Sequence, residues 1–129
     1  MTTIPIPSQD TPIYNILIKK YATFKLSLTW KTGGTTSVPI DLTNFRAILQ
    51  IRQSADVPNV LYEASTTKGN IKLGGANGTI SVSISSVDTS NIRWQSGEYD
   101  LLLIGPDGTV YKMIRGSVSV ETGITQPNQ

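Results

Sequence analysis

The sequence contains no cysteine and no histidine. Without cysteine there is no disulfide framework, no thiolate zinc site and no thiol nucleophile, and the redox compartment stays open. Without histidine the chain lacks the side chain most used for proton transfer near neutral pH, and the commonest metal ligand. An enzyme made from this alphabet would have to use paired carboxylates or a lysine. The expectation is therefore a protein that is not an enzyme and carries no cofactor and no metal. Charge is sparse as well, with 11 Lys and Arg against 9 Asp and Glu and a formal net charge of +2. Lys19 and Lys20 are the only adjacent basic pair, so no nucleic-acid footprint is expected. No apolar run approaches the roughly 18–20 residues of a membrane-spanning helix, so no membrane partner is expected either. Met1 to Asp10 shows neither the basic nor the apolar segment of a signal peptide, which implies synthesis in a cytoplasm.

What is present fits one domain. A chain of 129 residues with 38% hydrophobic and 16% charged content is long enough to bury a core without staples. The dominant signal has a period of two. Phe24, Leu26, Leu28 and Trp30 alternate with Lys25, Ser27 and Thr29, as a strand with one buried face requires. Ala47, Leu49 and Ile51 alternate with Arg46, Gln50 and Arg52, and Ile80, Val82 and Ile84 alternate with Ser81, Ser83 and Ser85. Tyr99 to Ile104 is almost continuously apolar, which predicts a central strand covered on both faces. A last strand is expected from Thr109 to Val120, with Gly116 marking a bulge or a close approach.

Turn chemistry separates these runs. Gly33-Gly34, Pro58-Asn59, Lys68-Gly69-Asn70, Gly74 to Gly78 and Pro106-Asp107-Gly108 all favour reversals, and Ile104 to Val110 is the clearest hairpin. Ser86 to Trp94 breaks the alternation and allows one helical turn crossing between sheets. The spacing predicts an all-β fold, an immunoglobulin-like sandwich of about seven or eight antiparallel strands. Residues 13–121 form this domain. Residues 1–12, with Pro5, Pro7 and Pro12, read as an extended arm rather than a paired strand, and residues 122–129 as a flexible tail.

Candidate chemistry is thin. Glu98 and Asp100 share a strand face with carboxyls roughly 6–7 Å apart, a spacing open to a calcium ion or an acid–base pair. The plainer account is a solvent-facing stripe opposite Tyr99, Leu101 and Leu103. Asp56, Asp88 and Asp107 fall where Asp bonds its own backbone in turns or at helix starts. Asn77-Gly78-Thr79 matches a glycosylation acceptor but reads more simply as a hairpin loop. Trp30, Trp94, Tyr62, Tyr99 and Tyr111 are the candidate sugar-stacking residues of a carbohydrate-binding module. Arg46 and Arg52 lie on one polar strand face. Ser81, Ser83 and Ser85 are read with Ser117 and Ser119 as one lightly charged surface, of the kind assembly subunits cover with a neighbour. The residues expected to touch a partner are Ile4, Pro5, Ile6 and Pro7 of the arm, Ser81 and Ser83, and Trp94.

Several segments are similar to small virion proteins of tailed phages. They are Ala22 to Trp30, Ile40 to Arg52 with its Asp-Leu-Thr-Asn-Phe start, Asn70 to Ile80 with Gly-Gly-Ala-Asn-Gly-Thr-Ile, Ser96 to Leu103, and Arg115 to Val120. Together they resemble the N-terminal β-sandwich of phage baseplate upper proteins across residues 22–121. The resemblance implies a module that anchors receptor-binding parts to a tail, with no catalytic residues to carry over. It further implies a place in the virion, other virion proteins as partners, and a homo-oligomer in the particle. Unlike baseplate upper proteins, this chain shows no coiled-coil or further-domain pattern beyond Val120. Two alternatives stand beside the tail, baseplate or neck adaptor: a capsid decoration (cement) subunit, and the carbohydrate-binding module.

Overall fold

A computed structural model describes residues 2–4, 11–32 and 37–125, the first of these by backbone alone. Nine strands in two sheets are present among them. They are β1 (Thr2–Ile4), β2 (Ile16–Lys19), β3 (Phe24–Trp30), β4 (Arg46–Arg52), β5 (Val60–Ser65), β6 (Ile71–Leu73), β7 (Thr79–Ile84), β8 (Ser96–Ile104) and β9 (Val110–Glu121). One sheet has the order β1-β3-β7-β6 and the other β2-β9-β8-β4-β5. This is the immunoglobulin arrangement, with strands A, B, E and D facing A′, G, F, C and C′.

Alternation does the folding work. In β7 the isoleucines and Val82 turn inward while Ser81 and Ser83 face solvent. In β8 Tyr99, Leu101 and Leu103 enter the core. Antibody domains join strands B and F with a disulfide. Here β3 and β8 contribute Leu26, Leu28, Leu101 and Leu103 to a continuous aliphatic core instead. Trp30, only 3% exposed, closes one end against Phe45 and Tyr111, at ring-centroid distances of 6.3 and 5.2 Å. Its indole nitrogen is the one buried side-chain polar atom without a hydrogen bond among the described residues.

The helical turn is α1 (Ser86–Ser90), and it joins β7 of one sheet to β8 of the other. Ser85 caps it by accepting the Asp88 N–H at 3.1 Å. The buried Thr89 hydroxyl ties α1 to the β2–β3 connection through the Ala22 carbonyl at 2.9 Å. Asp107 shapes its loop as expected and Asp41 does the same, each carboxylate accepting both the N–H and the O–H of the threonine two residues on. These bonds hold both carboxyls below the usual range. A carboxyl depressed by folding stabilises the fold above its unfolded pKa and loses that contribution as pH falls through the folded value. Thermal melts should therefore be flat near neutrality and drop between about pH 5 and pH 3, and Asp107→Asn should shrink that drop.

Several expectations are corrected. The strands are not all antiparallel: β1 runs parallel to β3, and β2 parallel to β9. The arm is not wholly unpaired, since Thr2–Ile4 adds an edge strand. Gly116 marks a close approach and no bulge; the register shift of β9 lies between its partners for Leu101 and Leu102, at Met113. Strand β8 is central, yet only its inner face is buried within the chain. The Gly33-Gly34 reversal lies outside the described residues.

Candidate partner-binding surface

Register places the outward side chains of the five-stranded sheet on a grid. Arg46, Ile104 and Val110 form one row, and Ile48, Leu102 and Lys112 the next. Glu63, Gln50, Asp100 and Arg115 follow, and then Arg52, Glu98 and Ser117. The first two rows are apolar at their centre, where Leu102 and Ile104 are half-buried and Val110 is exposed. Val110 is 56% exposed. The next two rows are charged and, Glu63 apart, line a depression of about 540 Å³ together with Ile13 and Gly116.

Within the charged rows, hydrogen bonds and two ion pairs, Lys68–Glu63 at 3.5 Å and Lys112–Asp100, link the side chains. The Gln50 amide donates to Glu63 Oε1 at 2.8 Å and accepts from the Arg52 guanidinium at 3.0 Å. The Gln50 bond is the main reason the Glu63 carboxyl sits below its usual range, with the Lys68 ammonium adding to it. Lys112 Nζ lies 3.4 Å from Asp100. Glu98 and Asp100 do share this face, and no group of three metal-ligating side chains forms among the described residues. The pair belongs to a charged lattice beside cations, which matches the solvent-facing reading better than an acid–base pair. Exposed pairs of this kind add little to stability and act mainly on partner choice and register.

Segment Pro12 to Lys20 is strapped along β9. Tyr14 N–H donates to the Arg115 carbonyl at 2.8 Å, and Arg115 N–H to the Pro12 carbonyl at 3.1 Å. The buried Tyr99 hydroxyl reaches the Tyr14 carbonyl at 2.5 Å, and burial pushes its pKa up. Asn15 Oδ1 accepts the Ser117 N–H at 2.9 Å. These contacts leave Ile13 and Leu17 exposed, at 63% and 49%, on the edge of the same face.

The sequence-predicted partner residues do not converge. Ser81 and Ser83 are on the outer face of the four-stranded sheet, whereas Ser117 and Ser119 belong to the five-stranded sheet. Ser85 is spent on capping α1, so the single serine surface does not exist. Ile4 lies in register with Trp30, while Pro5, Ile6 and Pro7 lie outside the described residues. Trp94 is half-buried and lines a separate hollow of about 280 Å³ with Leu61, Tyr62 and Asp88. Tyr62 donates to Asp88 there at 3.0 Å, and desolvation followed by that bond pushes its pKa up to about 12. Trp30 and Tyr99 are buried and offer no stacking platform.

No family model matches this chain, and no curated protein matches its sequence. Among solved structures, the N-terminal domain of phage TP901-1 ORF48 superposes with a TM-score of 0.51 at 10% identity. That match covers 93% of this chain and 97% of the other. Extracellular domains 3–5 of Drosophila OTK align at 21% identity over 95% of this chain and 38% of theirs, with a TM-score of 0.39 that carries no argument. The first likeness is one of fold, and it extends nearly end to end in both chains.

Proposed function

We propose that this protein is a non-enzymatic structural component of a tailed-phage virion, an adaptor of the tail, baseplate or neck that joins neighbouring subunits or anchors receptor-binding fibres. The observation that carries the reading is the near end-to-end superposition on a domain of a phage protein. The uncovered outer face of β8 supports the reading independently. Leu102, Ile104 and Val110 lie between Arg46 and Lys112, an apolar centre with a charged rim, which is the anatomy of a protein-binding surface.

In this reading the sandwich is the rigid scaffold and its five-stranded face meets another virion protein. The ion pairs and amide bonds set which partner and which register are accepted, and the apolar rows supply the desolvated contact. The test is quantitative mass spectrometry of gradient-purified particles from the phage that encodes this chain. The protein should be present in a fixed copy number that is a small multiple of the tail symmetry. A copy number in the hundreds would favour a decoration subunit, and absence from particles would refute the virion reading.

A further inference from the structure

The outer face of the five-stranded sheet is ordered in a way that the register of β4 against β8 makes plain. Ile48 lies opposite Leu102, Gln50 opposite Asp100 and Arg52 opposite Glu98. One strand further out on each side, Glu63 of β5 and Arg115 of β9 end the row that holds Gln50 and Asp100. Opposite members of these rows are complementary in kind: apolar with apolar, amide with carboxylate, cation with anion.

Some of the charges are unspent. Glu98 and Arg115 have no ion pair and no side-chain hydrogen bond among the described residues. Arg52 is the register neighbour of Glu98, yet its guanidinium turns to the Gln50 amide at 3.0 Å. Beside these charges Ile48 and Leu102 are only half-buried.

A face with this layout fits itself. A two-fold axis parallel to the strands, midway between β4 and β8, turns a second copy face down on the first. It sets each β4 side chain over the β8 residue that is its register partner, and each contact occurs twice. Ile48 then meets Leu102, Arg52 meets Glu98, and Glu63 meets Arg115. A two-fold laid along β8 would instead put Asp100 on Asp100 and Glu98 on Glu98. Sheets stacked in this way keep their strands within about 30° of each other. The offset grows away from the crossing point, and the long Arg52 and Arg115 side chains span it. From the spacing of strands and of residues along them, the face covers roughly 500 Å² per copy. The total of roughly 1,000 Å² is at the low end for a specific interface.

We propose that the outer face of β4 and β8 binds a second copy of this chain about that axis, as a weak, reversible dimer. The inference rests on the reading of this face as a protein-binding surface and names its partner as the same chain.

The test uses the full chain at low salt, where exposed charges are least screened. Sedimentation velocity should show monomer at about 5 µM and a substantial share of dimer at about 200 µM. Over the same range the amide signals of Ile48, Gln50 and Leu102 should shift, while those of Ser81 and Ser83 on the other sheet stay in place. Charge reversal then examines the pairing between copies. Glu98→Arg and Arg52→Glu each set like charges across the axis, and each alone should raise the dissociation constant at least about tenfold. Mixed in equal amounts the two variants should dimerise again, because every cation of one then meets an anion of the other. Melting curves at about 5 µM verify that both variants fold, and the shifts of the native chain decide the matter if either does not. A native chain that stays monomeric at about 200 µM, or shifts that map to another surface, would overturn the proposal. So would a mixture of folded variants no more associated than its components. A monomer would still leave the face open to a different virion protein, whereas absence from particles is what refutes the virion reading.

Discussion

Gly116→Ala should destabilise the protein by about 3 kcal/mol and lower its melting midpoint by roughly 10 °C. A Cβ on Gly116 would sit 2.3 Å from the Tyr14 carbonyl oxygen and 2.7 Å from the Tyr14 carbonyl carbon, both backbone atoms with no side-chain freedom to yield. The same Tyr14 oxygen receives the buried Tyr99 hydroxyl, and the adjacent Asn15 holds the Ser117 N–H. A methyl group at residue 116 therefore does not disturb one contact. It pushes away the strap that carries β2, and it leaves the Tyr99 hydroxyl inside the protein without an acceptor, a loss that itself costs about 1–3 kcal/mol. Hydrogen exchange should localise the damage, with the amides of Tyr14, Lys20 and Ser117 losing protection before those of β4 and β8. A Gly116→Ala protein that melts within a degree or two of the native one would mean that the strap is not packed on β9.

Leu101→Ala should cost about 2–5 kcal/mol, the range for emptying a fully buried leucine position. Leu101 is 0% exposed and pairs with Leu49 on one side and Ile114 on the other. Its neighbours are anchored in three adjacent strands, so the cavity cannot collapse cheaply. The adjacent Leu102→Ala is the informative control. Leu102 is half-buried and points outward, so the same chemical change should cost under about 1 kcal/mol in the isolated chain. Equal losses from the two substitutions in chemical denaturation of the isolated chain would mean that β8 is covered on both sides.

That contrast also shows where the sequence was readable. Period-two patterning located β3, β4 and β7, because each has one face in the core and the other facing outward, whereas β8 was found as an apolar run and β9 as the stretch that follows the Asp-Gly hairpin. The Asp-Gly hairpin and the Asp107 turn were legible because their chemistry is local. Strand β5 was not, since Val60 to Ser65 mixes exposed, intermediate and buried positions around a register shift and shows no clean alternation. Nor was β2, where Leu17 is an exposed leucine on an edge strand. Its parallel partner β9 is about a hundred residues away, beyond the reach of any local signal. The continuous apolar run of β8 was read as two covered faces. The run was real, but among the described residues only the inner face of β8 is buried.

The candidate surface was harder. Alternation tells which residues of a strand share a face, but not which sheet receives the strand. Ser81, Ser83, Ser117 and Ser119 were therefore grouped by composition and separated by topology. Glu98, Asp100, Arg46 and Arg52 were each visible as outward residues. What the sequence lacked was the antiparallel register of β4 against β8, which sets them side by side with Lys112 and Arg115. Gly116 carried a usable signal, since a glycine inside a strand warns of close backbone approach. Its partner, Tyr14, was visible only in the fold.

The central claim is that this sandwich is a built-in part of a phage particle, and a cryo-electron microscopy map of the intact particle tests it most directly. Density fitting the two sheets should occur around the tail, baseplate or neck, with the outer face of β8 against another protein. Density spread over the icosahedral shell, or no such density anywhere in the particle, would contradict it.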